Sequence, residues 1–156
     1  MVGYDGHKRI NGTKIHAVVT ARSLPVAVMI GSAREHEGRK LIPLMESVGI
    51  TGKGRPRKRP RTLYADTKYD MPLNRFYLAK KRVLSQIKDH PGKKRRPGRS
   101  RLFDAKTYGR IRSSVERFNA WIKSFRRVAT RYERLPTLYM GFVHLACIII
   151  YLRILQ

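Results

Sequence analysis

The chain has 156 residues, 42% of them apolar, and 35 Lys and Arg face only 10 Asp and Glu for a formal net charge of +25. The apolar share excludes a disordered tail, and the length suits one domain with its own core. So large a charge is tolerated most readily when the partner is an anionic polymer, and a single cysteine, Cys147, excludes a disulfide framework and a Cys-based zinc site.

In chain order, Gly12–Thr20 (GTKIHAVVT) and Pro25–Gly31 (PVAVMIG) are rich in β-branched and aliphatic residues. They read as two strands pairing antiparallel through the short connection Ala21–Leu24. A helix is predicted over Lys40–Val48, where Leu41, Leu44, Met45 and Val48 recur at helical spacing and Gly49 stops it. The run Lys53–Arg61 carries Lys53, Arg55, Arg57, Lys58 and Arg59 between Gly52, Gly54, Pro56 and Pro60, which predicts an exposed basic loop without regular structure. A short strand, Thr62–Ala65, ends at Asp66. Asp70 is read as the N-cap of a helix with Pro72 in its first turn, reaching about Lys81 with Leu73, Phe76, Tyr77 and Lys80 on one face. Val83–Ile87 is the next strand.

A second basic loop, Pro91–Arg101, carries Lys93, Lys94, Arg95 and Arg96. From about Lys106 to Val128 the apolar residues Ile111, Val115, Phe118, Ile122 and Phe125 step by four and three, the mark of an amphipathic helix. Arg112, Glu116, Asn119 and Lys123 form the polar stripe beside them. The last segment, Leu138–Leu155, is 18 residues long, the lower limit for a membrane span. A buried closing helix explains it as well, and the basic chain favours that reading, with no membrane partner expected. The element order is that of an α/β domain with a mixed sheet.

Two carboxylates stand out against the basic background. Glu116 shares a helix face with Arg112 and Lys123, and its plain alternative is an ordinary pair with Arg112 one turn away. Asp66 ends a strand, where a turn residue is the plain alternative, yet ligands of open α/β sheets gather at the carboxyl ends of strands. Carboxylates converging in a phosphate-binding protein would hold hard divalent metals. His7, His16, His36, His90 and His144 show no zinc-type spacing, and Asp5, in YDGH, reads as a turn residue.

Three segments carry a resemblance: GYDGHKRINGTKIHAVV, LYADTKYD and RSSVERFNAWIKSFRR. Together they resemble the DDE transposases of bacterial and archaeal insertion sequences, over nearly the whole chain. Arg112, Glu116 and Lys123 keep the family's spacing of Arg, three residues, Glu, six residues, Lys, while Tyr108 sits one place early for the family's tyrosine. The resemblance implies an RNase H-like mixed sheet flanked by helices, lacking its first strand, over residues 1–156. It implies metal-dependent cutting and joining of DNA, with magnesium or manganese held by Asp66 and Glu116. It also implies that Lys123 contacts DNA, that Arg112 positions Glu116 or a phosphate, and that the family's first catalytic aspartate precedes GYDGHKRI. A cytoplasmic, nucleoid-associated protein, acting on element ends and target DNA as a homo-oligomer, is the corresponding expectation. The alternative is a non-catalytic basic protein that binds RNA or the ribosome.

Overall fold

The computed structural model describes residues 2–6, 9–52, 54–57, 59–90 and 103–155. The chain divides into two compact units. One comprises residues 1–35 and 113–156, the other His36–Arg112, and the boundary falls inside one helix.

In the first unit, β1 (Gly3–Asp5), β2 (Ile10–Val19) and β3 (Pro25–Ser32) form an antiparallel sheet in that order. The β2–β3 hairpin is the predicted one. Its turn is closed by Thr20, whose backbone N–H and carbonyl bond Leu24 and Ser23 and whose Oγ1 accepts from the Arg22 and Leu24 amides. Ser23 takes a left-handed conformation there, φ 66°, and is fully buried.

Helix α3 (Ala105–Lys123) is shorter than the spacing predicts. Phe125 is extended, φ −80° and ψ 111°, and the chain restarts as α4 (Arg126–Ala129). The buried row of α3 is Ser114, Phe118 and Ile122, whereas Val115 is exposed. Ser114 takes the buried position and satisfies its own hydroxyl by donating to the Ala21 carbonyl of the hairpin turn at 2.8 Å.

Helix α5 (Pro136–Leu155) covers 20 residues. Tyr139, Val143, Ala146, Cys147 and Ile150 pack with Phe118, Ile122, Val128 and Ile30 into the core of this unit. The Tyr139 hydroxyl donates to the Val128 carbonyl at 2.9 Å, and the Tyr151 hydroxyl reaches the Pro25 carbonyl. The expectation of a buried closing helix therefore holds for one face. Leu138, Leu145, Ile148 and Leu152 on the other face are more than half exposed. By length and composition α5 is long and apolar enough to cross a membrane.

In the second unit a 3-10 turn, Glu37–Lys40, leads into α1 (Leu41–Glu46). The region read as a structureless basic loop begins instead with a two-stranded antiparallel ribbon, β4 (Ile50–Gly52) and β5 (Gly54–Arg57). Gly52 and Gly54 pair across its tip. The second basic loop lies outside the described residues.

Strands β6 (Thr62–Ala65) and β7 (Leu84–Ile87) pair in parallel, Thr62 with Leu84 through Ala65 with Ile87. The crossover between them is α2 (Pro72–Lys80). Its N-cap is Met71 in extended conformation, not Asp70. Asp70 turns instead to Arg75, whose Nε donates to it at 2.6 Å. The face is also rotated from the one expected: Leu73 and Phe76 are 62% and 69% exposed, while Asn74 and Leu78 are buried. Asn74 sets the rotation, since its Nδ2 donates to both the Gly38 and Tyr69 carbonyls, at 2.9 and 3.0 Å. Gly38 must be glycine here, because a Cβ would lie 2.5 Å from Met71 Sδ and 2.8 Å from the Lys68 carbonyl. Helix α2 closes with Arg82 at φ 54°, the Val83 N–H bonding the Leu78 carbonyl and the Arg82 N–H that of Ala79, a Schellman ending with both Leu78 and Val83 buried. The architecture is thus mixed α/β, with helices and three separate small sheets among the described residues in place of one mixed sheet.

Candidate functional site

Asp66 follows β6 directly, at the carboxyl end of the parallel pair. Its backbone is extended, φ −69° and ψ 164°, and its side chain caps the 3-10 turn Thr67–Tyr69. The Thr67 amide donates to Oδ1 at 2.7 Å and the Thr67 hydroxyl to the same oxygen at 3.2 Å. Both bonds fall on one oxygen, so the carboxylate is oriented while Oδ2 carries no hydrogen bond among the described residues. The residue is exposed. A strand-end turn and an oriented, accessible carboxylate are therefore the same residue, and the two readings of Asp66 do not exclude each other.

Two phenols stand near this carboxylate. Burial pushes the Tyr69 hydroxyl up to about 12, with the negative charges of Glu37 and then Asp66 acting in the same direction. Tyr108, on the first turns of α3, is also raised, first by burial and then by Asp66, with the Arg112 guanidinium opposing. Asp66 and Arg112 therefore both lie within electrostatic reach of the Tyr108 hydroxyl. Tyr108 precedes Arg112 by four residues where the family pattern has three, and either step keeps two side chains on one helix face. Tyr108 and Arg112 therefore share a face of α3.

Arg112, Glu116, Asn119 and Lys123 are all exposed along α3, one turn after another. Glu116 and Lys123 belong to the first unit, Asp66 and Arg112 to the second. No group of three or more His, Cys, Asp or Glu side chains able to hold a metal is found among the described residues. The chemistry of the donors still suits a hard cation, because magnesium commonly takes one or two carboxylates and completes its shell with water and phosphate oxygens. Asp66 and Glu116 are each an exposed carboxylate of that kind.

Of the cations named from sequence, Arg59 is exposed, and its Nη1 donates to the Lys81 carbonyl at 2.6 Å, so it fastens the chain entering β6 to the end of α2. Lys53 and Lys58 lie outside the described residues, as do Lys93, Lys94, Arg95 and Arg96, and Arg55 and Arg57 fall on β5. Sequence reasoning passes over Tyr69, Thr67 and Phe103. The signal for Phe103 is present in FDAKTY: an aspartate cap with an apolar residue before it and another four places after it.

The sequence matches the family described as "Transposase DDE domain" over residues 2–151. It is 33% identical over 141 residues to a protein of Burkholderia cepacia named "Putative transposase for insertion sequence element IS402", the match covering 89% of this chain and 62% of that protein. It is 33% identical over 142 residues to a Brucella ovis protein named "Putative transposase for insertion sequence element IS6501", covering 90% of this chain and 98% of that protein. The chain thus spans less than two thirds of the length of the first relative and nearly all of the second. No solved structure gives a significant match. A family match over almost every residue, with relatives of this identity, shows that the chain belongs to the DDE transposase family.

Proposed function

We propose that residues 1–156 form one RNase H-like catalytic domain that cuts and rejoins DNA strands by phosphoryl transfer. The observation that carries this is Asp66: an exposed carboxylate at the carboxyl end of a parallel strand pair, oriented through one oxygen, in electrostatic reach of the same phenol as Arg112. Asp66 and Glu116 would hold a divalent ion, magnesium or manganese. Such an ion supplies Lewis-acid charge to a phosphoryl oxygen. In the reaction a water or a DNA hydroxyl attacks phosphorus, a new P–O bond forms, and the oxygen of the cut strand leaves. Arg112 offsets phosphate charge near the Asp66 end of α3, and Lys123 holds the DNA backbone further along the helix. Lys53, Arg55, Arg57, Lys58, Lys93, Lys94, Arg95 and Arg96 bind phosphates without regard to sequence. Element ends and target DNA are the partners, a second copy of the chain is expected on DNA, and the place of work is the cytoplasm, with the nucleoid.

The test is nicking of supercoiled plasmid with magnesium or manganese. The parent for this test is the chain joined to a strand that carries the family's first aspartate, and it should nick. Asp66→Asn and Glu116→Gln should each lose more than the roughly 100-fold typical when outer partners of a metal ligand are removed, while still binding DNA. Equal nicking by either variant removes that residue from the chemistry. Binding without nicking by the parent, with either metal, favours the non-catalytic nucleic-acid binder.

A further inference from the structure

Helix α5 turns Tyr139, Val143, Ala146, Cys147 and Ile150 into the core of its unit. On its other side Leu138, Gly141, Leu145, Ile148 and Leu152 are all exposed, at steps of three, four, three and four. A stripe of that strict period is the seam along which one helix packs against another. The chain has 35 Lys and Arg, yet Pro136–Ile154 carries only Arg153 and no acid. Arg153 lies over the Phe125 ring of its own unit, 5.7 Å from the centroid. The seam is thus apolar along its length, the kind of exposed surface that marks a contact with something else.

Two features say what that is. Glycine inside a helix is destabilising, and its own unit does not require Gly141, since a Cβ there would meet nothing within 4 Å. The gap faces outward and suits a large side chain from another helix. The seam is also complementary to itself. Turned end for end about a point between Ala146 and Cys147, it sets Gly141 against Leu152 and Leu145 against Ile148, as a two-fold axis would. A membrane fits less well, because helices that lie on one carry cations beside the apolar face, and the opposite face of α5 is already in the core.

We propose that α5 is a dimer interface, pairing antiparallel with α5 of a second copy of this chain. The second copy expected on DNA thereby gains a surface. The pairing needs no DNA, so it and the reading of Asp66 and Glu116 fail separately. The charge of +25 on each copy opposes pairing, and salt screens that repulsion, so the dimer should tighten with salt where DNA binding loosens.

The experiment is sedimentation equilibrium of the full chain, freed of nucleic acid, at low and high salt. The parent should reach twice the chain mass, more readily at high salt. Gly141→Leu should keep the parent's circular dichroism, because its own unit leaves room. It should weaken the dimer about thirtyfold or more by overpacking two contacts per pair. Adding Leu152→Gly to that variant swaps large for small and should restore pairing. A parent that stays single at both salts overturns the inference, and flotation with neutral phosphatidylcholine vesicles would then assign the face to a membrane. A Gly141→Leu chain that pairs like the parent, or a swapped chain that stays single, also overturns it. Should Gly141→Leu fail to fold, Gly141→Cys with Leu152→Cys decides. The two positions lie too far apart on one helix to join, and Cys147 is buried, so oxidation should link two chains. No linked dimer overturns the inference.

Discussion

Asp66 and Asp70 stand four residues apart in ADTKYD, and local pattern assigns each a local role. Asp66 is legible as a strand-end acid because β6 is short and apolar and ends at it. Asp70 reads as a helix cap, the common use of aspartate before proline, but Arg75 captures it. Arg75 also binds the Ile87 carbonyl at 3.0 Å and Asp89 at 2.8 Å, so one guanidinium ties α2 to the end of β7. No spacing rule shows that a cation on the next turn will outcompete a backbone amide for a carboxylate. A similar pair gives a prediction of pH dependence. Arg127 Nη1 donates to Glu133 at 2.8 Å, and that bond, ahead of smaller backbone contributions, holds the Glu133 carboxyl below its usual value of 4.5. A carboxylate lowered by folding stabilises the fold at pH values above its unfolded range, and that contribution disappears as the pH falls through its folded value. Glu133→Gln should therefore lower Tm most near pH 7, and the gap to the parent should narrow below about pH 4. A gap constant from about pH 7 to about pH 3 in thermal scans would show that the charge of Glu133 contributes nothing.

The hairpin β2–β3, the short strand β6 and the helix α5 match their predicted spans within a few residues, because each is specified by a contiguous pattern. The face that each helix buries is less legible. On α2 the apolar residues Leu73 and Phe76 point to solvent while Asn74 is buried, and on α3 Val115 is exposed while Ser114 is buried. In both cases a polar side chain satisfies backbone carbonyls from a distant segment, Gly38 and Tyr69 for Asn74 and Ala21 for Ser114. For Asn74, leaving the buried Gly38 carbonyl unpaired would cost about 1–3 kcal/mol, comparable with the burial of one more apolar group. Helix α5 shows the converse, apolar on both faces with only one packed. Ile150→Ala, at a 3% exposed position, should lower stability by about 2–5 kcal/mol in urea unfolding. Leu145→Ala, at 55% exposure, should stay within about 0.5 kcal/mol in chain dilute enough to be unpaired. Equal losses there would mean that the outer face of α5 is packed within the single chain.

For the whole chain the dominant quantity is its charge of +25. Each cation that meets a phosphate releases counterions, so affinity for duplex DNA should fall steeply with salt. Changing Lys53, Arg55, Arg57 and Lys58 together to Gln should flatten the log affinity against log salt slope by about 0.9 for each phosphate no longer neutralised. An unchanged slope in a salt titration would assign those cations to another purpose. Arg59 is left out of that set because its bond to the Lys81 carbonyl makes it structural. From the sequence alone came what contiguous or regularly spaced residues can encode: the basic character, the hairpin, the acid at the end of β6, and the Arg112, Glu116 and Lys123 spacing on one helix. Only the tertiary structure decided that Tyr108 stands within reach of the Asp66 charge, that Arg75 takes Asp70 and Asp89 together, and which polar side chains are buried. Those arrangements depend on carbonyls, carboxylates and guanidinium groups brought together from far apart along the chain, and the free energy of pairing them is set by where the backbone has already gone.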